Sequence, residues 1–324
     1  MFSIVTPFFN ARATLRRTVE SVVAQTFGAF ELILVDDGST DGGADTLKGI
    51  DDSRIRILRQ PNGGAAAARN RGIGAAAHDW IAFLDADDLW LPDHLAELDR
   101  VRSRFPEAGL IGCAFLDTDE QGRFELPAWH EESIREIDFF DRIGRGENAL
   151  WIGSVAIPRS IFGSVGGFRH FPHGDDSEML ARVALDHQVA ASSRATAVYV
   201  HDSGGMTQSF KTRWRNAELS RVDDIAPAVA VLADRCRGVG AAERPPGADR
   251  FINHYVGLVL KTSIFIGDVA TIRKLRPLYR ATPNPEERLL LALSALPAPI
   301  TRLAYRTGLK LKALLRSIGA AGTQ

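Results

Sequence analysis

Two cysteines in 324 residues, Cys113 and Cys236, are too few for a disulfide scaffold or a cysteine-rich zinc site. A charge excess of one sign is also missing. The 39 basic and 40 acidic side chains leave a formal net charge of -1, without the basic surplus of a dedicated nucleic-acid binder. Long apolar runs are absent too. The longest, Leu289 to Ile300, is broken by Pro297 and Pro299 and falls short of the roughly 18 residues a membrane span needs. No basic stretch followed by an apolar core and a cleavage site opens the chain, so no secretory signal is read. What is present, 45% hydrophobic and 24% charged residues, is the composition of a folded protein and excludes wholesale disorder. The expectation is a reduced, soluble, cytoplasmic protein of one large domain or two modest ones.

Over the first 116 residues, short apolar runs alternate with helical spacing, which predicts parallel strands joined by helical crossovers. Phe2 to Thr6 reads as a strand stopped by Pro7, whose missing N–H cannot continue a ladder. Leu15, Val19, Val22 and Val23 share one helix face. Phe30 to Val35 is a second strand, ending in the polar cluster Asp36 to Asp41, which suits a loop and helix cap. Arg54 to Gln60 alternates as a strand with one wet face, and after Asn62-Gly63-Gly64 an alanine-rich helix runs to about Ala77. Trp80 to Leu84 is the fourth strand, followed by Asp85-Ala-Asp-Asp88; Asp93 to Arg104 is helical and Leu110 to Leu116 a fifth strand. Residues 117–150 read as loops with a short helix near Ser133 to Arg142. Further on, Gly153 to Ile157 reads as a strand, Ser177 to Asp186 as a helix and Ala195 to Val200 as another strand. From Trp214 the chain reads as helices, with a linker at Gly238 to Gly247.

Ligands of open α/β sheets sit beyond the carboxyl ends of the strands, so the polar clusters after strands two, three and four should converge on one site. Gathering four or five carboxylates there is costly, because like charges raise one another's pKa, and something cationic must offset it. Asp85-x-Asp87 offers two hard oxygen donors suited to Mg²⁺ or Mn²⁺, although aspartates at such a position also serve as helix caps.

Five segments occur in order: Ser3-Ile-Val-Thr-Pro-Phe-Phe-Asn10, Ser21-Val-Val-Ala-Gln25, Glu31 to Asp41, Asn62 to Asn70, and Trp80 to Asp88. Together they closely resemble family 2 glycosyltransferases, densely over residues 2–100 and more thinly to about residue 207. The resemblance implies an α/β fold of GT-A type: a Rossmann-like, mostly parallel central sheet flanked by helices, with a helical C-terminal extension. It implies a glycosyltransferase domain over 1–210, with 1–116 binding the nucleotide sugar and 117–210 the acceptor, and a helical region over 211–324. It also implies a non-processive, inverting enzyme that moves one sugar from a nucleotide-diphosphate sugar, UDP-linked rather than GDP- or dTDP-linked, to a glycan or lipid-linked hydroxyl in polysaccharide biosynthesis.

Residue by residue, Pro7 and Asn10 would line the nucleotide pocket, and Asp37 would accept the uracil imide N–H, as a carboxylate can. Asp85 would hold the ribose or diphosphate side, and Asp87, with Asp85, the metal. Arg69 would approach the base or diphosphate, or else pair with a site aspartate. Gly63 and Gly64 would admit the nucleotide to the backbone, or simply make the turn. Downstream, Gly153-Ser154, Val165-Gly-Gly-Phe168 and Gly174-Asp175-Asp176 are similar to the family's acceptor side. There an acidic pair usually reads Glu-Asp; Asp175 departs from that and keeps the charge. Asp176 would be the general base, removing the acceptor's proton as its oxygen attacks; Asp175 suits a helix cap. His201 would be a further metal or phosphate ligand, or a structural or solvated histidine.

A dinucleotide fingerprint is spelled by Gly72-Ile-Gly74-Ala-Ala-Ala77, but inside a helical pattern rather than after a strand, and no phosphate-loop motif exists. A nucleotidyltransferase or an inactive nucleotide-sugar-binding protein are the remaining alternatives. Arg213-Trp214 lacks the glutamine that processive synthases of the family place three residues before the arginine. Finally, residues 299–324 pattern as a basic amphipathic helix, with Leu303, Leu311, Leu314 and Ile318 on one face and Arg302, Arg306, Lys310 and Arg316 on the other. Such a face either lies on an anionic membrane or packs on the protein's own domain or a second subunit.

Overall fold

The computed structural model describes residues 1–118, 123–124, 133–147, 150–201 and 227–266, with single positions at 273, 278 and 292. The expectations for Arg213-Trp214 and for the tail over 299–324 fall outside them. The chain forms two units: Met1–Arg142 with Glu147–Phe171 and Asp175–Gly204, and Ile143–Gly146 with Pro172–Gly174 and Gly205–Gln324.

The first unit is built on a nine-stranded sheet. Strands β1 (Phe2–Phe8), β2 (Phe30–Asp36), β3 (Ile55–Arg59) and β4 (Trp80–Phe83) pair in parallel in the order β3-β2-β1-β4. Beyond β4 the sheet is mixed. It continues through β8 (Val155–Pro158), β6 (Leu110–Asp117), β9 (Val189–Tyr199) and β5 (Leu89–Trp90), with β7 (Ile134–Glu136) also on β9. β1 therefore has β2 and β3 on one flank and β4 on the other, so the strand order reverses beside it. A ligand crevice is expected at such a reversal.

Period-two alternation sends Phe2, Ile4 and Phe8 to one face of β1, into a core with Leu32, Leu34, Ala82 and Leu84. Helix α1 (Leu15–Val23) covers that face with Leu15, Val19 and Val22, and α3 (His94–Arg104) adds Leu95, Leu98 and Val101. The i, i+4, i+7 spacing is what turns these side chains to one side. On the other face α2 (Ala65–Ala75) lies close to β1. A Cβ on Gly72 would sit 2.3 Å from Val5 Cγ1, so this glycine belongs to helix–strand packing and to no dinucleotide loop.

Five expectations need correcting. The short helix expected near Ser133 to Arg142 is a strand, Ile134–Glu136, followed by a helix that starts only at Phe139. β1 does not stop at Thr6 but runs through Pro7 to Phe8, because β4 pairs with it only as far as Val5. Val5 and Pro7 face the same flank, so the imino nitrogen points to an unpaired edge where no donor is required. The β2–β3 crossover holds only a 3₁₀ turn, Gly43–Leu47, since Gly42, Gly43 and Gly49 break any helical run. β9 begins at Val189, six residues early; between Ser192 and Ala197 it carries extra residues opposite Cys113 to Phe115 of β6, and this irregularity breaks its alternation and hides it from a period-two reading. And α6 (Asp175–Asp186) begins on the acidic pair itself rather than after it.

The remaining helices of this part of the chain, α4 (Phe139–Gly144) and α5 (Ile161–Val165), are short. In the second unit α7 (Pro227–Arg235) and α8 (Ala248–Ile266) are joined through the segment expected as a linker, where Arg244 grips both oxygens of Asp249 at 2.8 Å. Among the described residues no helix is long and apolar enough to cross a membrane.

Candidate active site

Asp37 follows β2 and is 3% exposed. One carboxylate oxygen accepts Gln60 Nε2 at 2.7 Å and the Gly63 N–H at 2.9 Å; the other accepts the Gly64 N–H at 2.8 Å. Asp37 thus brackets the turn that opens α2. Gly64 has φ 85°, which a side chain would strain, so the turn depends on glycine there. Both glycine amides donate to Asp37, so neither is left as a donor for a ligand. Each carboxylate oxygen has two acceptor positions, so Asp37 retains one. Asn10 sits past β1 with φ 50°; its amide oxygen accepts the Thr40 N–H at 2.9 Å, and Ser39 Oγ accepts the Asn10 N–H at 3.1 Å. The loops after β1 and β2 are therefore stitched together, with Pro7 just upstream.

Arg69 is the centre of the site. Its guanidinium, 3% exposed, donates to Asp85 at 2.6 Å and to Asp175 at 2.9 Å, and lies 5.4 Å from the Phe168 ring. Asp85 follows β4, Arg69 lies on α2 and Asp175 opens α6, so three elements meet on one side chain. The crowded carboxylates were expected to need an outside cation; an internal one already offsets them. Burial works against the charged guanidinium, but Asp85, Asp175 and Asp176 hold it firmly protonated. Burial pushes the Asp175 carboxyl up to about 6, with Asp176 and Asp85 adding to the rise and Arg69 opposing it. Asp176 is half-buried and accepts the Ser177 N–H at 2.7 Å.

A pH prediction follows. A carboxyl raised in the folded state contributes stability below its unfolded pKa and loses it as pH climbs through the folded value. Between 3.8 and about 6 that loss amounts to about 3 kcal/mol. Urea unfolding from pH 4 to 7 should show wild type losing this much relative to Asp175→Asn, with a ¹³C-detected midpoint for Asp175 near 6.

The segment leading to α6 is held by residues that motif reading missed. Asn70 pairs with both backbone groups of Phe168, at 2.7 and 2.8 Å, imitating a strand partner. Arg182 grips Glu178 at 2.8 and 2.9 Å and donates to the Gly167 carbonyl at 2.8 Å. The i, i+4 spacing of Glu178 and Arg182 was a usable signal; nothing local reveals Asn70.

For a metal, the chemistry of the donors decides. Asp85 and Asp87 are two hard carboxylates on one loop, and Asp85 shares its charge with Arg69. Among the described residues no three His, Cys, Asp or Glu side chains gather to hold an ion. His201 in particular is not assembled with Asp85 and Asp87; its Nε2 lies 3.3 Å from Asp117 Oδ1 and its ring stands edge-on to Tyr199. The pair fits a Mg²⁺ or Mn²⁺ ion that completes its shell with phosphates and water, and not an all-protein cage. A cavity of about 520 Å³, lined by Met1, His78, Asp79, Trp80 and Arg102, lies by the start of β4, at the opposite strand ends from these loops.

Residues 3–162 match the family model described as Glycosyl transferase family 2. The succinoglycan biosynthesis protein ExoW of Rhizobium meliloti (strain 1021) is 41% identical over 109 residues, 32% of this chain and 34% of that protein. The chain spans between 27% and 49% of the length of the first curated relatives it matches. S. aureus TarS 1-349, solved in complex with UDP-GlcNAc, superimposes with a TM-score of 0.71 at 17% identity, covering 94% of this chain and 88% of that one. The mannosyltransferase PcManGT of Pyrobaculum calidifontis, in complex with GDP-Man and Mn²⁺, reaches 0.56 at 18% identity over 97% and 86%. At these identities the solved structures show a shared fold, the GT-A architecture of a mixed sheet with parallel central strands between helices. Through its domain over residues 3–162, the chain belongs to glycosyltransferase family 2.

Proposed function

We propose that the protein transfers one sugar from a nucleotide-diphosphate sugar, UDP-linked, to a hydroxyl of a glycan or lipid-linked acceptor in polysaccharide biosynthesis, inverting the anomeric centre. One observation carries this reading: Arg69 joins the Asp85 loop to the Asp175-Asp176 pair, so donor-side and acceptor-side carboxylates share one guanidinium. Relatives support it, since ExoW is a biosynthesis protein of succinoglycan and TarS and PcManGT are seen with nucleotide sugars.

In this reading Pro7 and Asn10 line the base pocket, and the remaining acceptor position of Asp37 takes the uracil imide N–H. Gly63 and Gly64 leave room for the nucleotide. Asp85 and Asp87 hold Mn²⁺ or Mg²⁺, which when bound would take up negative charge on the departing diphosphate. Asp176 removes the acceptor's proton while its oxygen attacks from the opposite face, a single displacement that needs no covalent nucleophile. Asp175 is engaged by Arg69 through Oδ2 and is assigned no proton transfer in this reading. His201 lies with Asp117 and has no assigned step. We place the protein in the cytoplasm, at the membrane face if its acceptor is lipid-linked.

A thermal-shift screen of UDP-, GDP- and dTDP-sugars with and without Mn²⁺ tests the proposal. At about 100 times its dissociation constant a UDP-sugar should raise the midpoint by about 5–10 °C. Asp87→Ala should abolish the metal-dependent part of that rise. No response to any nucleotide sugar would remove the proposal.

A further inference from the structure

Three aspartates follow β4; the sequence reading gives ligand roles to Asp85 and Asp87 and none to Asp88. The third is placed differently. Asp88 is 1% exposed, and its Oδ1 accepts the Val200 N–H at 2.8 Å. The reason lies in the register. Leu89 and Trp90 of β5 pair antiparallel with Val198 and Ala197 of β9, so just past that pairing the chain leaves Val200 with a buried N–H and no strand partner. A buried amide must find an acceptor, and the side chain of the residue preceding β5 supplies it.

The rest of the loop is held from α1. Thr18 Oγ1 donates to the carbonyls of Ala86 at 3.0 Å and Asp88 at 2.9 Å, and Arg17 donates to the Asp87 carbonyl at 2.9 Å. The Asp88 N–H closes the turn on the Asp85 carbonyl at 3.2 Å. The end of β9 is itself fixed to the end of β6, since Thr118 donates its N–H to the Tyr199 carbonyl at 3.0 Å and accepts the His201 N–H on Oγ1 at 2.9 Å.

We propose that Asp88 is a positioning residue: its side chain ties the loop bearing Asp85 and Asp87 to the end of β9, and it touches neither donor nor cation. The inference rests on the proposed donor-binding role of that loop. It divides the acidic triplet by task, with Asp85 and Asp87 half-buried on the loop and Asp88 turned inward as the tether.

Asparagine keeps the Oδ1 acceptor and cannot carry charge, so it separates a tether from a ligand. In Asp88→Asn, amide exchange at Val200 should stay as slow as in wild type and the dissociation constant for UDP-sugar with Mn²⁺ should change less than about 3-fold. In Asp88→Ala, Val200 should lose protection by at least about 10-fold and donor affinity should fall by a similar factor, one hydrogen bond and its ordering effect. Should Asp88→Ala fail to fold, Asp88→Asn alone decides. Affinity lost in Asp88→Asn with Val200 still protected would make the carboxylate a ligand and overturn the inference; so would Val200 remaining protected in Asp88→Ala. A wild type that binds no nucleotide sugar would instead fell the proposed function, and the exchange measurement would still decide the tether.

Discussion

Substituting methionine for Arg69 is expected to lower folding stability by about 3–5 kcal/mol at pH 8, the usual result of removing one partner from a buried ion pair. The guanidinium is buried and bonds two carboxylates at once, Asp85 at 2.6 Å and Asp175 at 2.9 Å. Methionine fills much of the volume, so the loss reports charge rather than a cavity. Without Arg69 the Asp175 carboxyl rises further, and protonating it relieves the repulsion; the loss should therefore shrink at pH 5.5. Arg69→Lys keeps the charge but gives up the fork that reaches Asp85 and Asp175 together, and should lie between wild type and Arg69→Met. Urea unfolding of the three proteins at both pH values checks this. Equal stability of wild type and Arg69→Met at pH 8 would mean that the carboxylates are not held by this side chain.

The second large effect concerns turnover. Asp176→Asn should reduce kcat by about 10²- to 10⁴-fold, the range for loss of a positioned general base, while the donor dissociation constant stays within a few-fold. Asp175→Asn should spare kcat by comparison, because Asp175 faces Arg69 and not the acceptor in the proposed mechanism. Single-turnover transfer together with donor titration separates the two variants. If Asp176→Asn turned over normally, the base would have to be sought elsewhere, and Asp175 would be the first candidate.

The two variants test one electrostatic idea from opposite sides. Sequence reasoning reached the crowding of carboxylates correctly and assigned its relief to a metal. Arg69 lies 16 residues before Asp85 and 106 before Asp175 in the chain. Its pairing with a site aspartate was one of two open readings, and no local pattern could choose between them. The metal is therefore not required to explain why the aspartates coexist; it enters the proposal through the phosphates that two carboxylates can share with it.

How much was legible in the chain follows from the range of each signal. The existence of strands β1 to β4, the face of α1, the helical span of α3 and the linker before α8 were legible, because side-chain periodicity and turn chemistry are complete within a few residues. The same local view ended β1 at Pro7 and missed the first half of β9. Whether a missing N–H matters depends on which neighbour stops pairing, and a bulge shifts alternation by one residue. The site divides in the same way. By itself the sequence determined the family, the order of the motifs and which acidic residues would lie beyond the strand ends. Only the tertiary structure decided their tasks: Asp37 bracketing the turn into α2, Asp88 turned inward to Val200, His201 paired with Asp117, and Asp85 and Asp175 drawn to one arginine. A carboxylate looks the same in any sequence, and its role is set by the donors that distant parts of the fold bring within about 3 Å of it.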